Sequence, residues 1–238
     1  MHTLFLAPTG FGGGLNSISL GLIRSLEKAG LKVGYFKPIA QPFPVDQGRE
    51  RSCLLVERTL NLEVAEPVSL EQAERQLASG DVDLLLEDVV SRFQKASAGK
   101  DVVVVEGMVP TQESNYTLRL NSQLAKSLDA DVILVAAQGN DNLKRMAERI
   151  EIQAQLFGGI KEPKLLGVVL NKAEGDRGLA ECLKEFLPAL GGKDFRLLGA
   201  IPFNADLNAL RTRDIAELMG AKVLNVGESE ERRVRDIL

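Results

Sequence analysis

The residues with the clearest chemical potential stand near the start of the chain, in Thr9-Gly10-Phe11-Gly12-Gly13-Gly14-Leu15-Asn16-Ser17. An apolar run feeds this turn, and a helical pattern with Ile18, Leu22, Ile23 and Leu26 follows it. A strand, a glycine turn and a helix N-terminus form the arrangement in which backbone N–H groups cradle a phosphate. A working loop of this kind continues with Lys and then Ser or Thr. The lysine reaches the outer phosphates and the hydroxyl holds Mg²⁺. Here Gly14 is followed by Leu15 and Asn16. The turn keeps the geometry for an anion or nucleotide phosphate but lacks the point charge that phosphoryl transfer needs.

Further polar residues follow the apolar runs. Lys37, before Pro38, is either a solvated strand-end lysine or a group that neutralises a ligand oxyanion. Glu106 comes directly after four valines. A carboxylate buried there without a partner is costly, which points to metal or hydroxyl binding. Asn171-Lys172 reads as a plain strand-end turn or as the start of a base-recognition loop; Glu174 stands where such a loop carries Asp. In Gln138-Gly139-Asn140-Asp141, the last residue reads as a helix N-cap. The single histidine, His2, argues against a Ser-His-Asp triad or a histidine-rich metal site.

These residues need a frame that brings them to one edge. Strand patterns fall at residues 3–7, 32–36, 101–106, 131–136, 165–171 and 196–201, with a short seventh at 223–226. Helical patterns fall at 17–29, 69–79, 81–98, 116–128, 141–157, 178–187 and 206–218. Gly30 is placed to end the first helix, and Ser69 with Gln72 makes a capping-box pattern. Alternation predicts an α/β domain with a mainly parallel sheet of about six to seven strands and helices on both faces. Ligands of such sheets bind beyond the strand carboxyl ends, where the glycine turn, Lys37, Glu106, residues 138–141 and Asn171-Lys172 are found. Residues 41–51 are the least regular stretch, and the absence of repeats or a long linker predicts one domain over 1–238.

The chain has 238 residues, 45% of them hydrophobic and 26% charged, as in ordinary globular proteins. A net charge of -4 argues against a nucleic-acid partner. No apolar run approaches the ~20 residues of a membrane span, and no signal-peptide pattern opens the chain. Cys53 and Cys182 sit in helical patterns far apart, which predicts buried or half-buried thiols in a reducing cytoplasm.

Several strings together resemble the start of long-form bacterial phosphate acetyltransferases. They are Ala7-Pro8-Thr9-Gly10-Phe11-Gly12-Gly13-Gly14-Leu15-Asn16-Ser17, Gly34-Tyr35-Phe36-Lys37-Pro38, Glu106-Gly107-Met108-Val109-Pro110, Gln138-Gly139-Asn140-Asp141, Leu170-Asn171-Lys172 and Ile201-Pro202-Phe203. The ending, residues 225–234, fits too, so the resemblance runs along essentially the whole chain. It implies a domain similar to dethiobiotin synthetase, a P-loop ATP-using ligase, without the separate domain that performs acetyl transfer. It further implies a regulatory and assembly role: sensing of NADH, ATP or pyruvate, a homo-oligomer, and a connector at 227–238 leading to middle and catalytic domains. The more distant match to dethiobiotin synthetase puts Leu15 and Asn16 in the places of the catalytic Lys and the Mg²⁺-binding Thr. Lys37 takes the place of its substrate-holding lysine, Glu106 of its metal-binding glutamate and Asn171 of its adenine-contacting asparagine. Long-form acetyltransferases generally keep Leu after the glycine and often Thr next, so Asn16 departs from both patterns. The candidate ligand-binding set is Thr9, Gly10, Gly12, Gly13, Gly14, Asn16, Ser17, Lys37, Glu106 and Asn171, with no catalytic residue and no metal ligand assigned.

Overall fold

A computed structural model describes residues 1–41, 50–111, 116–137, 142–173, 195–204 and 209–234. They form two compact units, Met1–Ile201 and Pro202–Leu238. In the first, β1 (His2–Pro8) leads through the glycine turn into α1 (Leu15–Lys28) and β2 (Val33–Phe36). Helices α2 (Arg51–Leu60), α3 (Leu70–Ser79) and α4 (Val82–Ser97) precede β3 (Val102–Glu106). Then come α5 (Thr117–Ser127), β4 (Asp131–Ala137), α6 (Leu143–Leu156), β5 (Leu165–Ala173) and β6 (Arg196–Pro202).

The sheet order is β2-β3-β1-β4-β5-β6, and the pairs of β1, β2, β3, β4 and β5 run parallel. Strand alternation sorts the side chains into two cores. Phe5, Phe36, Val103, Val105, Val132 and Leu134 pack on one face with residues of α3, α4, α5 and α6. Leu6, Tyr35, Val104, Ile133 and Val135 pack on the other with α1 and α2. The valine run of β3 is therefore buried on both sides, as a parallel strand between helical layers should be. The glycine turn leaves the carboxyl end of β1, near the middle of the sheet, which is the position that the strand order makes a ligand crevice.

Local signals set several boundaries. After α1, Gly30 N–H donates to Glu27 O (2.9 Å) and Leu31 N–H to Leu26 O (3.2 Å), closing the helix in a Schellman pattern. Ser69 Oγ accepts from Gln72 N–H at 3.2 Å, as its capping pattern predicts. Helix α6 is capped by Asn142, which accepts from Arg145 N–H at 2.9 Å; this corrects the cap expected at Asp141, which lies outside the described residues. Strand β5 continues through Asn171 and Lys172 to Ala173, so these two residues do not form a strand-end turn. Its register against β4 shifts between Val132 and Ile133, and Gly167 stands at this irregularity with φ +146. Leu165 faces one core, Leu166 the other, and Val168 faces the first again. That flip is what one extra residue in a ladder produces. The sequence-predicted helix at 178–187 and Cys182 lie outside the described residues.

The second unit holds β7 (Leu210–Arg211), α7 (Thr212–Leu218) and β8 (Arg233–Val234), with β7 and β8 paired antiparallel. The helix begins later than the predicted 206, because Leu210–Arg211 is drawn into pairing with Arg233–Val234. Residues 223–226 form no strand; Val223, Leu224 and Val226 are exposed and irregular. An apolar run alone does not make a strand without a partner edge.

Candidate functional site

The glycine turn is pinned from the sheet side. Thr9 N–H continues the ladder to Val135 O at 2.9 Å. Gln153 Nε2, from α6, donates to Pro8 O at 3.1 Å. Arg149, from the same helix, donates to Ala137 O at 3.0 Å beside Gly10. Asn171 Nδ2 donates to Gly13 O at 2.9 Å. Gly14, at φ 70 and ψ 35, turns the chain into α1, and a Cβ built on it would lie 2.3 Å from Asn171 Nδ2. Only glycine fits there, on both backbone and packing grounds.

On the other side of the turn lies a cavity of about 610 Å³. Gly10, Gly12, Gly13, Gly14, Asn16, Lys37 and Glu106 all line it. Thr9, Ser17 and Asn171 do not. Thr9 acts through its backbone at the end of β1, Ser17 is exposed on α1, and Asn171 is spent on Gly13 from behind. Beyond the predicted set, the cavity is bounded by Glu50, Ser52, Leu70, Met108, Val109 and Tyr116.

At its floor Lys37 and Glu106 are 2% and 1% exposed and form an ion pair at 3.2 Å. Lys37 Nζ also donates to Gly107 O at 3.0 Å, and Ser19 Oγ donates to Glu106 Oε2 at 2.7 Å. The solvated-lysine reading of Lys37 is thereby corrected: the side chain turns inward because its carboxylate partner lies on the neighbouring strand. The unpartnered charge feared at Glu106 is met by a cation and a hydroxyl. A buried pair so satisfied is tolerated, whereas either half alone would carry an uncompensated charge. Among the described residues no group of three or more His, Cys, Asp or Glu is placed to hold a metal ion.

The backbone of the wall after β3 is held by side-chain amides. Asn121 both accepts from Met108 N–H and donates to Met108 O, each at 2.8 Å. Gln41 does the same to Val109, at 2.7 and 2.9 Å. Tyr116 donates to Glu74 at 2.9 Å, and burial with this carboxylate pushes the phenol up to about 12. Glu50 caps α2 by accepting from Cys53 N–H at 2.9 Å. Burial, then the Glu50 carboxylate, pushes the Cys53 thiol far up; burial, then Glu106, does the same to Tyr35.

The sequence reading missed Ser19 and Gln41 as site residues. Ser19 had a signal: it occupies the buried stripe of α1 among Leu15, Ile18 and Ile23, where a hydroxyl needs a partner. Gln41 had none, because its partner Val109 is 68 residues away.

The AAA domain family model matches residues 2–211. A phosphate acetyltransferase of Pseudomonas putida is 56% identical over 241 residues, covering 100% of this chain and 35% of that protein. One of Pseudomonas aeruginosa is also 56% identical, over 248 residues with the same coverage. The chain therefore spans about a third of the length of these relatives, at 35%. Among solved structures, Cyanothece McdA in complex with ATP superposes with a TM-score of 0.51 at 17% identity, covering 94% of this chain and 98% of that one. At that identity the likeness is one of fold, the P-loop NTPase architecture. The chain belongs to the AAA domain family, in the dethiobiotin-synthetase-like P-loop form that makes up the N-terminal domain of phosphate acetyltransferases.

Proposed function

We propose that this chain is a non-catalytic regulatory and assembly domain of a cytoplasmic phosphate acetyltransferase. The whole enzyme interconverts acetyl-CoA plus phosphate with acetyl phosphate plus CoA, using middle and catalytic domains to which residues 227–238 connect. The domain binds a small-molecule effector, for which ATP and NADH are candidates, and takes part in a homo-oligomer. The observation that carries the reading is a well-formed loop and cavity whose only buried lysine, among the described residues, is held by Glu106. Leu15, in the place of the loop lysine, cannot serve a transferring phosphoryl group. Removing one such stabilising group typically costs about a hundred-fold or more in rate.

A thermal-shift screen with ATP, NADH, pyruvate, acetyl-CoA and phosphate tests it, with Gly14→Asp in parallel. A ligand at about 100 times its dissociation constant adds roughly 2.7 kcal/mol of stability. One compound should raise the midpoint, and Gly14→Asp should abolish the shift. Turnover of acetyl-CoA and phosphate by this chain alone would sink the reading. The second reading, an ATP-dependent ligase or ATPase, is favoured by Lys37, Glu106 and Asn171 standing around an intact loop. It requires Mg²⁺-dependent phosphate release from ATP above that of Gly14→Asp.

A further inference from the structure

We infer that residues 212–234 are the opening of the next domain, and that their apolar run at 218–226 is an interaction surface covered by the polypeptide that follows position 238 in the longer relatives. This deepens the domain part of the reading above, since it moves the boundary from 227 to about residue 211, where the AAA domain match stops. It is independent of whether the cavity beside the glycine turn binds an effector.

The second unit has backbone order without a core. Thr212 N–H donates to Arg232 O at 2.9 Å and Arg213 N–H to Ser229 O at 3.0 Å, which folds the stretch back on itself. Ala221 N–H donates to Ala216 O at 2.8 Å and closes α7. Arg211 pairs with Asp214, and Arg213 with Glu230. Yet none of the described residues between 202 and 234 is buried. A unit starting at Pro202 is shorter than the about 40 residues below which a fold needs disulfides, metals or association. The two cysteines, Cys53 and Cys182, both lie outside it. Among the described residues no group is placed to hold a metal ion. Association is what is left to stabilise it.

The surface that asks for a partner is compact in sequence. Leu218, Met219 and Leu224 are 76%, 74% and 89% exposed, with Val223 and Val226 exposed beside them. Single exposed apolar side chains are ordinary, but a run of them marks a contact. Residues 223–226 also carry a strand pattern, and among the described residues no edge pairs with them. The β7–β8 pair is two residues long, and a two-stranded ribbon is marginal without a further strand or a packed face. Three observations name the following polypeptide as the occupant. The AAA domain match ends at residue 211, directly before α7, so the helix and β8 stand outside the sheet domain's own pattern. The Pseudomonas putida relative matches 100% of this chain within 35% of its own length, so a long further polypeptide goes with this unit there. Chain that continues from β8 is tethered beside the run, at an effective concentration of about millimolar that a separate molecule rarely reaches. The charged side chains of the unit already pair among themselves, which leaves apolar packing and strand pairing as the chemistry of the contact.

The test is amide exchange read by mass spectrometry, on this chain and on the whole Pseudomonas putida relative. In this chain, residues 212–234 should exchange at least about a hundredfold faster than β1 and β3, and at one rate whatever the protein concentration. In the relative, the matched segment should exchange about a hundredfold more slowly than it does here. Leu224→Lys should leave the urea midpoint of this chain unchanged, because the side chain is 89% exposed. In this chain joined at Leu238 to the remainder of the Pseudomonas putida enzyme, the same substitution should strip the segment of its protection. Slow exchange at 212–234 in this chain, independent of concentration, would show a unit closed without further polypeptide and overturn the inference. Protection that grows with concentration would assign the run to a second copy and overturn it too. So would fast exchange of the matched segment in the relative, or a joined protein indifferent to Leu224→Lys. A failed ligand screen at the cavity changes none of these readouts, and their failure leaves the effector reading standing.

Discussion

At the scale of single residues, the Lys37–Glu106 pair governs both stability and chemistry. It lies at the carboxyl ends of β2 and β3 with almost no solvent contact. Removing one partner leaves a charge in a dry site, which typically costs about 3–5 kcal/mol; replacing both by apolar residues is often close to neutral. Glu106→Leu alone should therefore destabilise the chain by about that amount, and Lys37→Met by a similar amount. The double substitution should recover most of the loss, short of what Ser19 Oγ and Gly107 O forfeit. Urea unfolding of the four proteins gives the coupling energy. Additive single effects would mean that the two charges do not depend on each other. Glu106, after four valines, was legible as a residue needing a partner; which partner it takes was not, because Lys37 is 69 positions away and only strand order joins them.

At the scale of elements, two glycines set how pieces join. A Cβ on Gly14 would press on Asn171, and the residue sits in the left-handed region. Gly14→Ala should cost about 1–3 kcal/mol from backbone strain. Pairing it with Asn171→Ala should return only the steric part, because the φ of 70 remains. In β5, a Cβ on Gly167 would stand 1.9 Å from Arg196 O, a backbone atom of β6. Gly167→Ala should release β6 from the sheet edge, seen as loss of amide-exchange protection at β6 while β1 and β3 stay protected. Retained protection in β6 would show that β5 absorbs the shift.

The contrast between these elements explains what the sequence could reveal. The strand-turn-helix of β1 and α1, the valine strand β3 and the Ser69 cap follow from local patterns. Periodicity and capping act within a few residues. The bulge at Gly167, the β7–β8 pairing and the Gln41 clamp depend on strands and loops distant in sequence. The run at 223–226 misled for the same reason: its apolar residues promise a strand, but among the described residues no edge pairs with it. Asn171 illustrates both halves. Its type and place beyond an apolar run mark a polar strand-end residue, but only the fold turns its amide onto Gly13 O.

At the scale of the whole molecule, burial of two acidic hydrogens ties stability to pH on the alkaline side. Cys53 and Tyr35 pack between the sheet and the α1–α2 layer, each held protonated chiefly by burial and then by a carboxylate: Glu50 for the thiol, Glu106 for the phenol. Both pKa values are raised on folding, so the neutral forms favour the native state. Their stabilising effect is complete below the unfolded pKa, about 8.5 for Cys and about 10 for Tyr, and is lost as pH climbs toward the folded values. Between those limits each group removes about 1.36 kcal/mol per pH unit. The unfolding free energy of the chain should thus be level near pH 7 with respect to these groups, fall above pH about 8.5, and fall more steeply above about 10. Cys53→Ala should lower the whole curve by a packing loss and flatten the first of the two declines. Urea titrations of both proteins at intervals across that range separate the two effects, since the packing loss is an offset and the ionisation a slope. Parallel curves for the two proteins would show that the Cys53 thiol does not resist ionisation in the fold, and the burial argument for this layer would fail with it.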